Sequence, residues 1–133
     1  HAPTRATWGY ENRTAAIRVA AATGANRRFE HRISGADANP YLVLAALLAS
    51  VLHGVDNKLV PPPPLEGNAY KADAPRLALG WRAALDAFSG GAVLAPAYGE
   101  LFTRVFAALK RQEISVADKR VTDFEYESYL DTF

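Results

Sequence analysis

Along residues 27–34, Arg27-Arg28-Phe29-Glu30-His31-Arg32-Ile33-Ser34, charged and less polar side chains alternate. Side chains of an extended strand repeat every second residue, so Arg28, Glu30 and Arg32 share one face at intervals of about 6.5–7 Å. Phe29 and Ile33 take the other face, with His31 between them. A carboxylate flanked by two guanidiniums can grip phosphate or carboxylate groups through forked hydrogen bonds, while the glutamate ligates a hard divalent cation that shares those phosphates. The same row also reads as a solvated strand face carrying cross-strand ion pairs, which add little to stability. Upstream, Asn12-Arg13-Thr14-Ala15-Ala16-Ile17-Arg18 brings two more arginines, so a hairpin can gather four of them around Glu30. That much like charge needs a counter-charge, which an anionic ligand would supply. Strict alternation sets Arg13 and Arg18 on opposite faces of a regular strand. Either Arg13 lies at an irregular strand entrance, or one of the two lies outside the site. His31 points away from the charged face, and its expected role is packing.

The elements that must hold this row are strands first and helices after. Thr7 to Tyr10 is rich in aromatic residues, Thr14 to Ala20 carries Ile17 and Val19 on one face, and Thr23-Gly24-Ala25-Asn26 is the turn into the charged strand. Two or three antiparallel strands are expected, and because a lone hairpin is marginal in water, something must cover them. A helix then follows, capped by Asp37 or Asn39, with Pro40 at its first position, running from Tyr41 to about Leu52 and stopping at Gly54. Leu42, Val43, Leu44, Leu47, Leu48, Val51 and Leu52 make it apolar nearly all round, which predicts burial on most sides. Pro61 to Pro64 forms a stiff extended connector without backbone donors. A second helix is expected to open at Asp73 and Pro75, with Leu77, Trp81, Leu85 and Phe88 on its stripe and Ser89-Gly90-Gly91 as its end. A third follows Pro96, with Leu101, Phe102, Val105, Phe106 and Leu109 facing inward and Lys110-Arg111 in its last turn. Thr122 and Glu125 have capping-box spacing for a fourth. The expected class is α+β: two or three antiparallel strands followed by about four helices.

Composition bounds what this architecture can do. The 133 residues make one domain's worth of chain, half apolar, 22% charged, with a formal net charge of +1. That balance argues against disorder and against a polyanion-binding surface, so no nucleic-acid partner is expected. The first helix is too short for a membrane span of roughly 18 residues, so no membrane partner is expected. The absence of cysteine fits a reducing compartment, and a cytoplasmic location is expected. The chain begins at His1, contains no methionine and opens without a signal pattern, so it reads as a piece of a longer protein.

Three spaced blocks, Asn12-Arg13-Thr14-Ala15-Ala16-Ile17-Arg18, Arg28-Phe29-Glu30-His31-Arg32 and Asp37-Ala38-Asn39-Pro40-Tyr41-Leu42, together resemble the pattern of bacterial-class glutamine synthetases, in order and in spacing. The resemblance covers residues 10–57 and continues beyond Pro61 as a helical layout. The stretch His31 to Asp37 looks more like the gamma-glutamyl-polyamine synthetase branch than the ammonia-using one. The chain departs from the family at Ala25, where many members carry lysine.

The resemblance implies a C-terminal fragment, residues 1–133, of a catalytic domain that joins the glutamate gamma-carboxylate to ammonia or an amine through gamma-glutamyl phosphate. ATP and magnesium or manganese are the implied cofactors, and a ring-shaped homo-oligomer the implied parent. By the same resemblance Arg13 and Arg18 meet the ATP phosphates and the phosphoryl in transfer, and Arg28 lies on the nucleotide side. Glu30 ligates the nucleotide-side cation, and Arg32 grips the glutamate side-chain carboxylate. Such preplaced cations stabilise the charge that develops in phosphoryl transfer. The family's other metal ligands, its glycine-rich substrate loop and its N-terminal domain are expected before His1. The piece is therefore expected to be inactive alone and to self-associate through exposed strand edges and apolar patches. The alternatives are a non-catalytic assembly or structural module of the same fold, and an unrelated anion-binding module that matches the three blocks by chance.

Overall fold

The computed structural model describes residues 2–21 and 23–130, and the chain divides into two compact units, His1–Leu79 and Gly80–Phe133. In the first, β1 (Trp8–Tyr10), β2 (Ile17–Val19) and β3 (Phe29–His31) form a three-stranded sheet with β2 at its centre. β2 and β3 are the expected antiparallel pair, joined through a 3-10 turn at Gly24–Asn26, with Arg18 opposite Glu30. β1 departs from the expectation of an antiparallel sheet: it runs parallel to β2, Trp8 opposite Ile17 and Tyr10 opposite Val19. Parallel neighbours normally need a crossover of about a dozen residues. These strands are only three residues long, so the chain has little distance to retrace and residues 11–16 suffice. Glu11 makes the reversal with φ of 50°, in the left-handed region.

The proline run lies along the outer edge of β1. Leu65 donates its N–H to the Trp8 carbonyl at 2.8 Å, and the Trp8 indole N–H donates to the Pro62 carbonyl at 2.7 Å. Prolines offer no N–H, so this partner covers the edge without presenting a row of donors of its own. Residues 74–77 pair with residues 4–6 through Ala6 N–H to Pro75 O and Leu77 N–H to Thr4 O, at 2.8 and 3.0 Å. The expected start of a helix at Asp73 and Pro75 is thereby corrected: this stretch is extended because its backbone groups are committed to the N-terminal segment.

α1 (Pro40–Asp56) begins as expected, with the Asn39 side chain accepting from the N–H groups of Tyr41 and Leu42 at 3.0 and 3.3 Å and Pro40 in the first turn. Its end is corrected from Gly54 to Asp56. Lys58 takes the left-handed conformation, φ 50°, and the N–H groups of Lys58 and Leu59 donate to Val55 and Gly54, closing a Schellman motif in which Gly54 is an acceptor inside the helix. Burial on most sides is corrected too. No residue of α1 is buried, and Leu44, Leu48, Val51, Leu52 and Val55 are about half exposed or more, because α1 packs on no other element among the described residues.

The second unit is helical: α2 (Trp81–Ser89), α3 (Leu94–Tyr98), α4 (Glu100–Ala117) and α5 (Asp123–Tyr129). Leu85, Ala107 and Ile114 form its core, with Phe88 packed against them. α3 and α4 are separate because Gly99, at φ 85°, takes a backbone conformation that side-chain-bearing residues rarely adopt. Lys110-Arg111 therefore falls inside α4, whose last turn lies near Ala117. A run of rings, Phe88 to Phe106 at 5.4 Å and Phe106 to Phe102 at 5.6 Å, joins α2 to α4. No helix of the described residues is long and apolar enough to cross a membrane.

Candidate functional site

The charged row stands where strand alternation sets it, although only Glu30 of its three members lies within β3, with Arg28 and Arg32 flanking the strand. Glu30 pairs across the sheet with Arg18, whose Nη1 donates to both carboxylate oxygens at 3.0 and 2.9 Å. Arg28 Nη2 lies 3.8 Å from Glu30 Oε1 on the other side. The ladder of ion pairs weighed as the plainer reading is thus present, but Arg18 is largely buried while Arg28 is exposed, so the two pairs differ in kind.

Arg13 occupies a turn ahead of β2, the irregular strand entrance left open by the sequence. Asn12 builds that turn. Its Oδ1 accepts from Thr14 N–H and Thr14 Oγ1 at 3.0 and 2.7 Å, and its Nδ2 donates to the carbonyls of Leu65 and Gly67 at 3.1 and 2.9 Å. One side chain thereby closes the turn and ties it to the segment after the prolines, leaving the exposed Arg13 beside a groove of about 440 Å³. Arg32 donates from Nη1 to the Arg13 carbonyl, so the Arg32 guanidinium is tied to the backbone of the turn that bears Arg13. The four arginines accordingly form two groups, Arg18 and Arg28 at Glu30, and Arg13 and Arg32 at the turn. His31 is half-buried, and desolvation holds its imidazole below the ordinary histidine range, in line with packing.

Two contributors escaped the sequence reading. Glu11 accepts from Arg18 Nη2 and from the Ala21 N–H, and these hydrogen bonds, the backbone one first, hold its carboxyl below the usual carboxylate range. Asn12 was recognised only as part of a motif, not as the hinge pin of the turn. The sequence signal for both was weak: strand alternation says nothing about Glu11, placed by a left-handed backbone, or about Asn12, which lies in the turn after it.

No group of three or more His, Asp or Glu side chains that could hold a metal ion occurs among the described residues. Glu30 fits a divalent cation as one ligand only. It offers a hard anionic oxygen, its side chain is 34% exposed, and each oxygen engaged by Arg18 retains a further lone pair. Other donors would have to come from phosphate oxygens, water or residues outside this chain.

An α+β segment that sets two arginines on a strand-borne glutamate and two more at the neighbouring turn, just before an Asn-capped helix, is the class of protein these features define. The family model described as "Glutamine synthetase, catalytic domain" matches residues 1–129, and the chain belongs to the glutamine synthetase family. Among curated relatives, the gamma-glutamylputrescine synthetase of Escherichia coli K12 is 39% identical over 98% of this chain and 28% of its own length. The gamma-glutamylethanolamide synthetase of Streptomyces coelicolor is 39% identical over 93% of this chain and 27% of its own. A solved structure titled "Apo GmaS without ligand" superposes with a TM-score of 0.82 at 32% identity, covering 98% of this chain and 31% of that one. The chain spans less than a third of the length of these relatives.

Proposed function

We propose that this chain is the C-terminal part of the catalytic domain of an ATP-dependent ligase that joins the glutamate gamma-carboxylate to an amine through gamma-glutamyl phosphate. The observation that carries the reading is the Arg28, Glu30 and Arg32 row, with Arg18 opposite and Arg32 held by the Arg13 carbonyl, in a chain that matches the family nearly end to end. Arg13 and Arg32 bind the phosphoryl group in transfer and the glutamate carboxylate that receives it. The Arg32 guanidinium is already tied to the turn when negative charge develops on the transferred oxygens, so little reorganisation of it is needed. Arg28 and Arg18 lie on the nucleotide side, and Glu30 contributes one ligand to magnesium or manganese. When bound, that cation neutralises phosphate charge.

An amine is preferred over ammonia as the acceptor because the similar proteins include synthetases named for putrescine, ethanolamide and isopropylamine products or substrates at 39–40% identity, whereas those named glutamine synthetase are 32–36% identical. A single carboxylate does not make a cation site, so this piece alone is inactive. Its parent is a cytoplasmic homo-oligomer, ring-shaped as the family resemblance implies. The uncovered apolar faces of α1 make the isolated piece self-associate.

The test is ATP-dependent phosphate release by the full-length ligase with glutamate and ammonia, putrescine or ethanolamine, beside an Arg32→Ala variant. Amine-dependent release that falls by at least about a hundredfold in the variant is expected, the scale of losing a transition-state charge contact. No turnover with any amine, from a folded protein that binds magnesium-ATP, would instead identify a non-catalytic module of the same fold.

A further inference from the structure

Glu11 stands outside the alternating pattern yet reaches the middle of the row. Its backbone is left-handed, its own N–H donates to the Val19 carbonyl at 3.0 Å, and its carboxylate turns back along β2 to accept from Arg18 Nη2 and from the Ala21 N–H. Arg18 is held from two sides in consequence, Nη1 by Glu30 and Nη2 by Glu11, while its buried Nε–H has no partner among the described residues. The two carboxylates, not a partner for Nε, set where this guanidinium lies.

We infer that Glu11 is a positioning residue: it is the second counter-ion of Arg18 and keeps that guanidinium in place when the Glu30 carboxylate turns to a divalent cation. The inference rests on the assignment of Glu30 as a cation ligand. With Glu30 as its sole partner, a largely buried Arg18 would lose its counter-charge whenever Glu30 moved to a metal, and the metal would have to compete against that loss. Glu11 removes the competition, because one branch of the fork stays paired while the other is released. A solvated surface pair would account for the Arg18 contact alone. It would not account for a left-handed glutamate whose carboxylate also ties down the Ala21 N–H at the end of the same strand.

The experiment uses the full-length ligase with Mn²⁺ alone as the probe, its bound fraction read by electron paramagnetic resonance. Glu30→Gln defines the class of Mn²⁺ site at issue by removing it. Glu11→Gln is expected to weaken that class by about tenfold, and by less than about twofold when Arg18→Met is already present, since coupled residues are non-additive. Hydrogen exchange at the Ala21 amide checks the fold: protection is expected to persist in Glu11→Gln, whose amide oxygen still accepts, and to be lost in Glu11→Ala. Unchanged Mn²⁺ affinity in a folded Glu11→Gln would overturn the inference, as would equal weakening with and without Arg18, which would mark a general field effect. If Glu30→Gln removes no Mn²⁺ site, the cation assignment falls and this inference falls with it.

Discussion

The two units of the chain are held together by opposite means. Residues 2–79 are organised by directed polar contacts: Asn12 and Thr14 reaching residues 65–69, Arg18 between two glutamates, and Trp8 on a proline carbonyl. The buried apolar side chains there, among the described residues, are alanines, Ala15, Ala16, Ala20 and Ala69. In residues 80–130, α2, α3 and α4 instead close over Leu85, Ala107 and Ile114 with a run of aromatic rings, and the buried Thr103 donates to the Ala95 carbonyl at 3.0 Å. Directed bonds fix side-chain position closely but add only about 0.5–1.5 kcal/mol each, whereas apolar burial stabilises without directing. The polar unit therefore carries the geometry, and the apolar unit is the better source of stability.

Truncating the apolar core should produce the largest stability loss. Leu85→Ala truncates the buried residue of α2 in the core it shares with α4 and is expected to cost about 2–4 kcal/mol, read as lost hydrogen-exchange protection across α2 and α4 in the intact protein. A loss below about 1 kcal/mol would break the contrast, since it would show that this small core does not sustain its unit. In the polar unit, Asn12→Asp replaces an amide that donates to two carbonyls with a carboxylate that cannot donate. The expected cost is about 2–3 kcal/mol from the lost bonds and the unfavourable oxygen–oxygen approach, together with loss of ligase activity as Arg13 shifts. Leu85→Ala, by contrast, is expected to lower stability while leaving the KM for glutamate unchanged in whatever fraction stays folded. If Asn12→Asp leaves activity intact, the turn does not position Arg13.

The legibility of the sequence divides along the same line. Regular alternation announced the face shared by Arg28 and Glu30, and Asn39-Pro40 announced the start of α1, because period and cap chemistry are local properties. The parallel setting of β1, the Schellman end at Lys58 and the extended run 74–77 were not legible. Each depends on a left-handed backbone at a residue other than glycine, or on a partner about seventy positions away, and neither leaves a periodic trace. Burial of α1 failed for another reason: an apolar helix states that it needs cover, not that the chain in hand supplies it.

α5 belongs to neither regime and gives the smallest expected effect. It packs on no other element among the described residues, so its helix rests on local terms. The reciprocal box at Thr122 and Glu125 is complete: Thr122 Oγ1 accepts from the Glu125 N–H at 3.2 Å, and the Glu125 carboxylate accepts from the Thr122 N–H at 2.8 Å. Thr122→Ala is expected to cost about 1 kcal/mol, confined to the helical chemical shifts of α5 and leaving exchange protection in α2 and α4 unchanged. The same box fixes a pH response. Hydrogen bonds from the Thr122 backbone N–H, and then from its side chain, hold the Glu125 carboxyl below the usual carboxylate range. A depressed carboxyl stabilises the folded form above its unfolded value, and that stabilisation disappears as pH falls through the lowered folded value. Helicity of α5 should therefore be full at neutral pH and decline in acid, and in Thr122→Ala the acid-dependent part should shrink. A decline that spreads into α4 at the same pH would show that α5 is coupled to the core of Leu85, Ala107 and Ile114 after all.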